Sequence, residues 1–130
     1  MAGMKKLINR TGSDLKVTLV VRAGDQPDQT AGSVEVDMAA GPDKKSGKDG
    51  SVQNVSYGND VDIYLNGIET RMIHDGSAIG ERRVVIERGS KLDNALNTND
   101  TIEFLYDGKS ILISATNSDY VPFSFTSVDK

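Results

Sequence analysis

TIEFLYDGKSILIS, residues 101–114, sets Asp107-Gly108 between two alternating apolar runs, the spacing of a β-hairpin closed by a two-residue turn. Such a turn pairs Tyr106 with Lys109, Phe104 with Ile111 and Ile102 with Ile113. Ile102, Phe104, Ile111 and Ile113 then share one face, the buried one, while Glu103, Leu105, Leu112 and Ser114 share the other. VDIYLNGIETRM, residues 61–72, reads the same way around Asn66-Gly67. Val61, Ile63 and Leu65 would face Met72, Thr70 and Ile68. Asp62 would oppose Arg71 as a cross-strand ion pair, and Tyr64 would lie on the polar face opposite Glu69.

Neither hairpin is stable alone, because burying about five large apolar side chains yields roughly 10 kcal/mol and ordering a dozen residues costs at least that much. No long helical pattern offers a covering layer, so the cover must be a second sheet. The expected fold is all-β: one domain over residues 1–130, an antiparallel β-sandwich or flattened barrel of about eight or nine strands.

Working outward, residues 7–11 and 15–22 read as two strands joined by a tight Gly12-Ser13-Asp14 turn. LKVTLVVR is apolar on both faces, as in a central strand covered above and below. Residues 23–32 read as a polar loop. Residues 33–38 alternate, with Val34, Val36 and Met38 inward. Residues 39–51, AAGPDKKSGKDGS, read as a mobile loop. A strand at 52–57, a turn at Gly58-Asn59-Asp60 and a connection at His74-Asp75-Gly76 follow. ERRVVIER, 81–88, has the charged ends of a guarded edge strand. Residues 90–96 carry the one helical signal, a short turn capped by Ser90 with Asp93 three positions on. VPFSF, 121–125, reads as a last strand held to an edge by Pro122. Residues 1–4 read as a start or tag segment ahead of the fold.

Composition narrows function. The net charge of −4 and the lack of a basic, aromatic-interleaved stripe argue against nucleic acid. It also disfavours an anionic membrane surface. The absence of cysteine excludes disulfides, a thiol nucleophile and Cys-based zinc. MAGMKKLINRTG has no apolar signal stretch and no run reaches the ~18 residues of a membrane span, so the expectation is a soluble, cytoplasmic chain.

His74 is the only histidine, so any Ser-His-Asp machinery must use it, yet a His-Asp-Gly turn is ordinarily solvated. Glu35, Asp37, Asp62, Glu69, Glu87 and Glu103 all fall at outward strand positions and mark no paired-carboxylate site. No enzyme is expected. Asp93, Asn94, Asn97, Asn99 and Asp100 form one oxygen-rich group and Asn59, Asp60 and Asp62 a second, the first (Asp93, Asn97, Asn99 and Asp100 above all) suited to calcium, which takes six to eight hard oxygen ligands. Turn formation explains the same residues without a metal. Tyr64, with Asn59 and Asp60 beside it, is the aromatic expected to meet solvent or a ligand; cover for a neighbouring strand is the other reading.

INRTGSDLKVTL, residues 8–19, resembles the first hairpin of the small aegerolysin-type membrane-binding sandwiches. The resemblance implies a membrane-interacting protein and carries no site residues. The residues themselves favour a non-catalytic protein that binds an unidentified ligand or assembles and needs no cofactor, with self-association or a carbohydrate as the candidate partners. Calcium-assisted carbohydrate binding is the second reading, and membrane interaction the third.

Overall fold

The structure, a computed structural model, describes residues 3–40 and 52–117. Within them, period-two runs rich in β-branched and aromatic residues form eight strands: β1 (Gly3–Asn9), β2 (Leu15–Ala23), β3 (Gln26–Met38), β4 (Val52–Tyr57), β5 (Leu65–His74), β6 (Ser77–Val84), β7 (Thr101–Tyr106) and β8 (Ile111–Thr116), with one helix, α1 (Lys91–Asn97). They make two four-stranded sheets ordered β4-β1-β7-β8 and β3-β2-β5-β6. The fold is all-β apart from α1. The expected strand at 121–125 and the loop at 41–51 lie outside the described residues.

In the second sheet all neighbours are antiparallel. β2 is central, as its apolar pattern implies, but only the face of Leu15, Val17, Leu19 and Val21 is buried. On the other face Lys16 sits between Asp37 and Arg71, and Thr18 between Glu35 and Glu69. Arg82 reaches Glu69 at 3.5 Å. That face is wet and charged, contrary to a strand covered on both sides. In the first sheet β1 runs antiparallel to β4 and parallel to β7, so the expected antiparallel arrangement fails at one ladder. Leu7, Val55, Ile102, Phe104 and Ile111 of this sheet join Val17, Leu19, Ile68 and Met72 of the other in one apolar core.

β7 and β8 form an antiparallel hairpin with the faces that the opening stretch predicts, Phe104 and Ile111 fully buried and Leu105 and Leu112 exposed. The register differs by two residues: Tyr106 faces Ile111 and Phe104 faces Ile113. The cause is a four-residue loop in which Asp107 Oδ1 accepts the N–H groups of Lys109 (2.9 Å) and Ser110 (2.8 Å). A slip of two leaves every side chain on its expected face.

Asn66-Gly67 is not a turn. It lies inside β5, where the pairing with β2 passes from Val20↔Gly67 to Val21↔Leu65, so Asn66 is the extra residue of a β-bulge. The close approach of Arg83 O, 2.9 Å from where a Gly67 Cβ would stand, explains the glycine. The two-residue turns fall elsewhere: at Gly24-Asp25 between β2 and β3, and at Asp75-Gly76 between β5 and β6. Asp75 (φ 50°) and Gly76 (φ 80°) both adopt positive φ, the mark of a type I′ turn.

Other expectations change with these turns. Residues 26–32 belong to β3 and not to a loop. The edge strand is β6, which ends at Val84, and Val85 is buried while Val84 and Ile86 are exposed. Residues 10–14 do not close a hairpin, since β1 and β2 belong to different sheets; INRTGSDLKVTL therefore lacks the shape its resemblance implied. Gly3 and Met4 pair with Tyr57 and Ser56 as part of β1 and are not a tag ahead of the fold. Asp62 does not face Arg71, and its Oδ1 instead accepts the Gly24 N–H at 2.6 Å.

Candidate functional site

The bulge at Asn66 has a counterpart across β2. Between Val20↔Ser33 and Arg22↔Thr30 the β3 strand also carries an extra residue, beside Gly32 at φ 98°. Bulges on both flanking strands bend the sheet and re-aim the side chains between them. The residue that directly follows both is Arg22, which is 1% exposed.

Its guanidinium is held on every side. Nε donates to Asn66 Oδ1 (3.1 Å), and Nη1 to Asp25 Oδ1 (2.9 Å). Nη2 donates to Leu65 O (3.2 Å) and Asp93 Oδ1 (2.7 Å). The Tyr64 ring lies over it, centroid 5.6 Å from Cζ, a cation–π distance. Asp25 passes its second oxygen to Arg88 Nη1 at 2.9 Å, so one carboxylate bridges two guanidiniums. Hydrogen bonds from Arg88 and Arg22 hold the Asp25 carboxyl below its usual range. Burial pushes Asp93 upward, but the Gly89 N–H, Arg22 and Asn97 outweigh it and leave its carboxyl lowered.

The helix is placed by the same network. Ser90 caps α1 by accepting the Asp93 N–H, and the Asp93 carboxylate accepts from Gly89 N (2.8 Å) and Asn97 Nδ2 (2.8 Å). Asn97 then clamps β5, accepting from Leu65 N (2.7 Å) and donating to Leu65 O (2.9 Å). Above these groups opens a recess of about 430 Å³, walled by Arg22, Asp25, Tyr64, Arg88, Asp93 and Asn97 among others.

Four of the residues singled out from sequence, Tyr64, Asp93, Asn94 and Asn97, meet in this recess. Asn99 and Asp100 do not join them. The Asn99 carbonyl accepts from the buried Lys5 ammonium, and its side chain donates to Ala95 O at 3.0 Å. Asp100 receives the Thr101 hydroxyl at 2.9 Å. Asn59 and Asp60 belong to the loop before Tyr64, where Asn59 Oδ1 accepts the N–H groups of Val61 (2.8 Å) and Asp62 (2.9 Å). Among the described residues no three His, Cys, Asp or Glu side chains converge as metal ligands.

Arg22, Asp25 and Arg88 were not singled out from sequence. The available signal was an arginine closing a long apolar strand and, later in the chain, an Asn-Gly pair inside another. His74 lies at the opposite end of the sheet. Ser13 Oγ is 3.5 Å from its Nδ1, and Asp75 Oδ2 is 3.5 Å from its Nε2. Both are longer than a tight proton-transfer contact of about 2.6–3.2 Å. A larger groove at that end, about 890 Å³, is walled by Leu15, Met38 and Met72 and reaches Ala40, where the described chain stops.

No protein-family model, curated protein or solved structure matches the chain. Among the described residues no helix is long and apolar enough to cross a membrane.

Proposed function

We propose that the two sheets form a β-sandwich acting as a non-catalytic binding module, and that its ligand, a carbohydrate, sits in the recess over Arg22 and Tyr64. The observation that carries this reading is the pair of bulges on the two strands flanking β2, just ahead of Arg22. Each interrupts a ladder of the central strand β2, and together they stand beside a buried cation and a half-open tyrosine. A strand end serving packing alone is satisfied more simply by an apolar residue, since buried ion pairs are weak contributors to stability.

Carbohydrate suits the lining. Tyr64, 36% exposed, offers a flat apolar surface with low entropy cost on binding. Arg88, Asn94 and Thr98 line the same recess and supply donors and acceptors of the kind sugar hydroxyls use. Calcium is not required in this reading, because both Asp93 oxygens already accept from protein donors.

The test is an amide-resolved NMR titration with a panel of neutral and acidic monosaccharides. Shift changes centred on residues 22–25, 64–66 and 88–98, and abolished in Tyr64→Ala, support the module. Saccharide-induced changes centred on the groove at Leu15 and Met72 instead, or none with any sugar at high millimolar concentration, refute it.

A further inference from the structure

The Asp25 carboxylate has an unusual position for a surface side chain. It is half exposed at the tip of the β2–β3 turn, yet each oxygen lies 2.9 Å from a different guanidinium at the mouth of the recess. Arginine forks match the O–C–O span of a carboxylate, and such charge-assisted contacts are among the stronger polar interactions available. Asp25 thus sits where the carboxylate of an incoming molecule would make its best contacts. Because one side is open to solvent, a change of side-chain rotamer is enough to vacate the seat.

Resting on the proposed recess, we infer that Asp25 is a tethered stand-in for the ligand's own carboxylate, and that the ligand is an acidic sugar of the uronate type. Charge favours a single carboxylate over a doubly charged phosphate. With Asp25 in place, Arg22 and Arg88 are balanced by Asp25 and Asp93; with Asp25 turned away, one positive charge remains uncompensated. A monoanion neutralises it, whereas a dianion overshoots into a site that already holds Asp93. Tyr64 takes the sugar ring, so the carboxylate and the ring are read by different residues.

The experiment is calorimetric titration of the 130-residue chain and of Asp25→Asn with D-glucuronate, D-glucose and acetate. Asparagine keeps the shape of the side chain and removes its charge. Asp25→Asn is expected to bind glucuronate about tenfold more tightly than the parent chain, to change glucose affinity by far less than that, and to bind acetate far more weakly than glucuronate. Equal glucuronate affinity in the two chains, or acetate bound as well as glucuronate, overturns the inference. Glucose and glucuronate bound alike by the parent chain, and both lost in Tyr64→Ala, overturn the acidic-sugar inference while leaving the recess in place. No saccharide bound by either chain overturns both. Should Asp25→Asn not fold, Arg88→Gln serves: it removes the more exposed guanidinium and is expected to lower glucuronate affinity about tenfold, several times more than it lowers glucose affinity. An unchanged glucuronate affinity there also overturns the inference.

Discussion

Replacing Asp93 by alanine leaves the Arg22 guanidinium buried with one of its two anionic partners gone. Removing one member of a buried pair costs about 3–5 kcal/mol. Asp25 still holds Nη1 at 2.9 Å, and the Asp93 side chain keeps 12% of its surface in water, so about 3 kcal/mol, the lower end, is expected. With an unfolding entropy of about 2.1 cal/mol/K per residue, the 130-residue chain then melts about 10 °C lower. Urea denaturation of Asp93→Ala, Arg22→Met and the double variant separates the pair from the helix cap. If the stranded cation causes the loss, Arg22→Met relieves it. The double variant is then about as stable as Arg22→Met alone, so the coupling is about 3 kcal/mol, the whole of the Asp93→Ala cost. Losses that add to within about 0.5 kcal/mol, or an Asp93→Ala cost below about 1 kcal/mol, refute the claim that this pair holds the recess together.

Acid titration checks the same residue from another side. Since the folded Asp93 carboxyl lies below its ordinary value of 3.8, its contribution is complete above that value and is lost as pH falls through the lower folded one. The urea midpoint of Asp93→Asn is therefore expected to fall less steeply than the parent's below pH 4; parallel curves contradict this. In the core, Phe104→Ala is expected to cost about 3–5 kcal/mol, whereas Leu105→Ala, on the exposed face, costs under about 1 kcal/mol; thermal melts that rank them the other way reverse the face assignment. Millimolar calcium is expected to leave the melting temperature unchanged, because the Asp93 oxygens and the Asn97 amide are engaged with Arg22, Gly89 and Leu65. A rise that EDTA reverses restores the calcium-assisted reading.

Faces were more legible in the sequence than pairings. Period-two alternation alone assigns Phe104 and Ile111 to the core, and that assignment survives a two-residue error in register because side chains alternate with that same period. Turn chemistry misled at Asn66-Gly67, where the same dipeptide that favours a tight turn also suits a bulge: glycine admits the close Arg83 carbonyl and asparagine bonds Arg22 and Pro27. The true turn, Asp75-Gly76, has an equivalent dipeptide but follows a strand whose interior carries Glu69, Thr70 and Arg71, so its apolar flanks are weaker.

The cap at Ser90 was readable because capping is local in sequence. The recess was readable only in part. Tyr64, Asp93 and Asn97 stand out by residue type. Arg22, Asp25 and Arg88 acquire their roles only when three separate segments are brought to one end of the sheet, and no local pattern reports that.

The parallel ladder between β1 and β7 has a consequence for how the chain is made. The segment from Leu15 to Val84 holds all four strands of one sheet and can zip together while the ribosome is still adding residues. Lys6, by contrast, must wait for Thr101 to emerge before its sheet can close. Loop closure over so long a span makes this the slow step of assembly. β4 can take one edge of the first strand as soon as Tyr57 is made, but the other edge, beside Leu7 and Ile8, stays open until β7 follows.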